Sequence, residues 1–123
     1  MLYSFDSGYI KDIPHRREFD VFRSKLTDEQ YQAIFDELNS RMDTDNIQTS
    51  SLMPGPDWTG TVFQPIYDVA CRNDFDASAK FFALILWHVI LEREDVWSFG
   101  RYEPGGVPIE GMTYFRIFDP PLS

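Results

Sequence analysis

The chain is poor in everything that would staple or export it. Cys71 is its only cysteine, which excludes an intramolecular disulfide and a thiolate zinc cage. The longest apolar stretch, Phe81 to Leu91 with His88 as its one interruption, falls short of the ~20 residues that a membrane-crossing helix needs. It reads as a buried helix. The start, Met1-Leu2-Tyr3-Ser4-Phe5-Asp6, has neither the basic region nor the apolar run of a signal peptide, and a reducing cytoplasm is the expected setting. No Gly-Lys-Ser/Thr phosphate loop occurs, and Gly105-Gly106 lacks the strand, helix and acidic partner of a dinucleotide fingerprint. No cofactor is expected. Positive charge is scarce as well: eleven Lys and Arg stand against twenty Asp and Glu, a net charge of −9, so a phosphate backbone is repelled and nucleic acid is not an expected ligand.

What remains is the composition of one folded domain over residues 1–123, 43% hydrophobic and 16% aromatic, long enough for a single core. Residues 27–43 carry the clearest element. Tyr31, Ile34, Phe35, Leu38 and Met42 recur at helical spacing, Thr27 with Gln30 makes a capping box, and Leu26 can staple onto Tyr31. On the opposite face Glu29, Gln32, Asp36 and Asp43 share a narrow arc. Upstream, 9–13 reads as a short strand ending at Pro14, and 18–26 fits a helical turn or two better than a strand. Downstream, 47–52 reads as extended and 53–60, with two prolines and two glycines, as a loop. Residues 61–72 suggest a second helix with Pro65 in its first turn. Asp74 or Asp76 then caps a third, running to about Glu94 and apolar on nearly every side between Phe81 and Leu91. From Val96 the period becomes alternating, and Pro104-Gly105-Gly106 supplies a turn into a second arm over 107–118, a C-terminal β-hairpin. The expected class is α+β, about three helices packed on a small antiparallel sheet.

Charge placement is the most informative feature for function. Residues 28–76 hold ten acids against Arg41 and Arg72, so −8 of the net −9 lies there. Gathered on one side, these acids create a field that steers a basic protein surface toward them; spread out, they only keep the protein in solution. The expected function is a small acidic interaction module, an inhibitor or immunity-like antagonist of a basic protein surface. Its binding residues are expected to be Glu29, Asp36, Asp43, Asp45, Asp57 and Trp58, the carboxylates attracting and Trp58 anchoring from its loop. The alternative is a small enzyme or ligand-binding protein with a pocket between the C-terminal hairpin and the helix 76–94, lined by His88, Arg101, Tyr102, Glu110 and Tyr114. Against that, no nucleophile or orienting acid stands at a recognisable spacing from His88, and the two histidines are too far apart for a helical metal pair. A homodimer built on the all-round apolar third helix is a further possibility.

Overall fold

The computed structural model describes residues 1–5, 7–49, 58–100 and 113–119. Among them four helical segments cover one face of a five-stranded mixed sheet, the α+β class expected. In chain order these are β1 (Leu2–Ser4), β2 (Gly8–Ile10), α1 (Arg16–Ser24), α2 (Asp28–Met42), β3 (Ile47–Thr49), a single wide turn of π-helix (Ile66–Ala70), α3 (Phe75–Glu92), β4 (Val96–Gly100) and β5 (Thr113–Ile117).

Local chemistry sets the helix starts. Thr27 accepts from the Gln30 amide while the Gln30 side chain accepts from the Thr27 amide, both at 3.0 Å. This reciprocal cap fixes α2 where the sequence placed it. Asp74, and not Asp76, caps α3 by accepting from the Ala77 amide. The helix expected over 61–72 is shorter and wider: the Cys71 amide reaches the Ile66 carbonyl five residues back, and the left-handed backbone of Arg72 and Asn73 ends it.

α3 is the centre of the core. From Phe81 to Ile90 no residue is exposed, because α1, α2, the π-turn and the sheet enclose it within one chain. Its all-round apolarity therefore does not call for a second subunit. No described helix is long and apolar enough to cross a membrane.

The sheet departs from the simple hairpin expectation. Its strand order is β2-β1-β4-β5-β3, antiparallel throughout except that β1 runs parallel to β4, with Leu2 opposite Trp97. The expected small antiparallel sheet is thus mixed, because the first strand of the chain inserts beside β4. β4 and β5 pair from Val96↔Ile117 to Gly100↔Thr113; the turn expected between them lies outside the described residues. Alternation divides each strand between two faces. Leu2, Trp97 and Tyr114 join the core, with Ile10 and Phe99 packed against it. Tyr3, Tyr9, Ser98 and Phe115 therefore point to the other face.

Candidate functional site

The residues singled out from the sequence fall into three groups. Glu29, Asp36 and Asp43 lie along α2 and its C-terminal cap, seven residues apart, so that a step of about 100° per residue keeps them within about 40° of arc over roughly 21 Å. All three are exposed. Among the described residues Glu29 has no cation beside it, and Asp36 accepts only from the Gln32 amide nitrogen at 2.8 Å. Asp45 follows in the turn, exposed and accepting from the Asn46 backbone. Elsewhere on α2 the acids are matched: Asp28 pairs with Arg23 at 2.7 Å and Glu37 with Arg41 at 3.0 Å.

Trp58 does not join this stripe. Its ring packs 5.8 Å from Phe82 and 6.4 Å from Phe63, and Arg41 lies over Phe63. Arg41 is about 140° around α2 from Asp36 at the same angular step. Trp58 is half-buried against the core. Asp57 lies outside the described residues.

At the C-terminal end of α2 the stripe runs into an open groove of about 610 Å³. α2 contributes Phe35, Asn39 and Asp43; α3 and the residues after it contribute Val89 and the acid-rich Glu92-Arg93-Glu94-Asp95; β5 contributes Arg116. Arg93 organises this corner. Its guanidinium donates to both the backbone and side-chain oxygens of Asn39, to Asp43 at 2.5 Å and to both oxygens of Asp95. The Asp95 hydrogen bond raises the Arg93 pKa further above its ordinary value. Burial pushes the Asp95 carboxyl upward, but the hydrogen bond and charge of Arg93 outweigh it and hold the pKa below the usual carboxylate value. With its donors engaged, Arg93 leaves Glu94, Glu92, which also faces His88 at 3.6 Å, and the half-exposed Arg116, 4.0 Å from Asp95, as the outward charges of the groove, beside an apolar wall of Phe35 and Val89. Sequence reasoning missed this groove, since the joining of positions 35–43, 89–95 and 116 is a tertiary event. The one available signal was the acid-rich end of α3.

Of the residues expected to line the alternative pocket, His88 and Tyr114 are described. Arg101, Tyr102 and Glu110 lie outside the described residues. Tyr114 is sealed in the sheet at 2% exposure, and burial pushes its pKa well above the ordinary value. His88 packs against Phe19, Tyr31 and Phe35, toward α1 and α2. Burial lowers its pKa, an effect that the Glu92 carboxylate only partly offsets from 3.6 Å. Its other nitrogen accepts from Tyr31, a phenol that burial makes harder to ionise. This chain of three groups holds a proton in place and has no activated nucleophile. Cys71 is equally inert, buried with its thiol pKa raised by that burial. Among the described residues no three His, Cys, Asp or Glu side chains gather as metal ligands.

Compared with protein-family models, with curated proteins and with solved structures, the chain matches none.

Proposed function

We propose that the protein is a small acidic interaction module that docks on a basic protein surface, as an inhibitor or immunity-like antagonist does. The observation that carries this reading is the row of exposed carboxylates along α2, in which Glu29 and Asp36 have no cation beside them among the described residues, leading into a groove where Glu92 and Glu94 outnumber the one further cation, Arg116. Such a row attracts a basic partner over about a Debye length, ~8 Å at physiological salt. On contact it forms charge-assisted hydrogen bonds with lysine and arginine side chains. The groove then receives one of those side chains, its aliphatic stem against Phe35 and Val89 and its charge toward Glu92 and Glu94. The half-buried Trp58 lies away from this row, so the partner is held by charge and by the groove more than by a projecting aromatic.

The test pairs two variants. Crosslinking of the tagged protein in a lysate of its source cell is compared for wild type, Glu29→Lys/Asp36→Lys and a control reversal away from the row, Asp20→Lys/Asp68→Lys. The expected result is a basic partner that the control retains, the row variant loses by about tenfold or more, and high salt releases. A partner held equally by the row variant, or one indifferent to salt, overturns the reading.

A further inference from the structure

Among the described residues, the side chains on the face of the sheet turned away from the helices include a group of aromatic rings and no charge. Tyr3 meets Tyr9 at 5.1 Å and Phe5 at 5.5 Å, both edge-on, and Phe5 stacks on Phe115 at 6.3 Å with planes 14° apart. Ser98 makes this possible. It sits on β4 between β1 and β5, fully buried, its hydroxyl donating to the Tyr3 carbonyl at 2.7 Å. Its small side chain lets the Phe5 ring bridge from Tyr3 across to Phe115. Phe5 nevertheless remains 69% exposed, and Ile47, opposite Phe115 on the edge strand, 61% exposed. Large apolar groups uncovered together mark a contact surface.

We infer that this face pairs with the same face of a second copy. The charge distribution selects that occupant. A basic partner finds no carboxylate among the side chains that the strands present here, and an acidic partner finds no cation. The acids of α1, α2 and α3 belong to the opposite layer. Two copies each carrying −9 repel one another least when their helical layers point apart. Face-to-face sheet packing at about 10 Å does this, leaving both acidic layers on the outside and separated by more than a Debye length. The contact is isologous, the same patch serving both copies about a two-fold axis. Five strands at ~4.8 Å spacing and up to five residues long present a patch roughly 24 Å by 16 Å, smaller than a standard interface. The pair is therefore weak and reversible.

Sedimentation equilibrium of the full chain from about 1 to 500 µM tests this. The mass is expected to rise from 14.4 kDa toward twice that value, and to rise earlier at higher salt, because salt screens the repulsion between copies. That response is opposite in sign to the salt release expected for the basic partner. Phe5→Asp is expected to stay at the single-chain mass throughout, as is Ile47→Asp, which serves as a second probe should Phe5→Asp fail to fold. Glu29→Lys/Asp36→Lys leaves pairing in place. A wild-type mass that stays at the single-chain value across the range overturns the inference. So does a folded Phe5→Asp or Ile47→Asp chain that pairs as wild type does.

Discussion

The Tyr31 hydroxyl lies 2.5 Å from His88 Nδ1, joining the first turn of α2 to the last third of α3. The Glu92 carboxylate, which only accepts, lies 3.6 Å from Nε2 and draws the ring hydrogen there, leaving Nδ1 to accept from the Tyr31 hydroxyl. Arg23 stacks over the Tyr31 ring at 4.3 Å and Phe19 meets both rings, so three helices converge on one hydrogen bond.

Removing that hydroxyl with Tyr31→Phe is expected to cost about 1 kcal/mol, read by urea denaturation. The pH dependence has a definite sign. Burial lowers the folded-state pKa of His88 below its ordinary 6.5, so the unfolded chain binds the extra proton more readily. His88 thus adds stability that is fully present above pH 6.5 and is lost as pH falls from there through the folded-state pKa. His88→Gln is expected to flatten the stability profile in that window, and an unchanged slope would assign the acid sensitivity to other groups.

Arg93 and its acids provide a graded series. The Arg93 side chain is 12% exposed and Asp43 67%. Arg93→Ala leaves the half-buried Asp95 without its guanidinium and should cost about 3 kcal/mol. Asp43→Asn removes a charge already in water and should cost no more than about 1 kcal/mol. Equal losses in thermal or chemical unfolding would contradict the assignment of Arg93 as the organiser of the groove.

Thr27→Ala breaks one arm of the reciprocal cap on α2. The expected loss is about 1 kcal/mol, accompanied by faster amide hydrogen exchange at Gln30.

The Trp97 ring is fully buried, and among the described residues its N–H makes no close hydrogen bond; its donor side faces the Asp95 carboxylate, two residues away, and helps to lower that group's pKa. Trp97→Phe removes this poorly satisfied donor while leaving a small void. These effects oppose, so the net change in stability is expected within about 1 kcal/mol, whereas Trp97→Ala should cost about 3–5 kcal/mol.

Legibility in the sequence followed how local each signal was. α2 was readable because its cap, staple and apolar stripe all lie within residues 26–43. α3 was readable from its apolar run, and β4 from the alternation of Trp97, Ser98 and Phe99. β1 was not, since three residues give no period and its partner stands 95 positions away. The groove was hidden for the same reason, being made from segments that meet only through Arg93. Trp58 gave no local sign of which way its ring turns, and contact with Phe63 and Phe82 decided it.

The parallel pairing of β1 with β4 also has a temporal meaning. A ribosome releases Leu2 95 residues before Trp97, so the β1–β2 hairpin must wait without its neighbour while those residues are made. The middle of the sheet is completed last during translation, and until then the aromatic side chains of the first strands are open to chaperones and to other nascent chains.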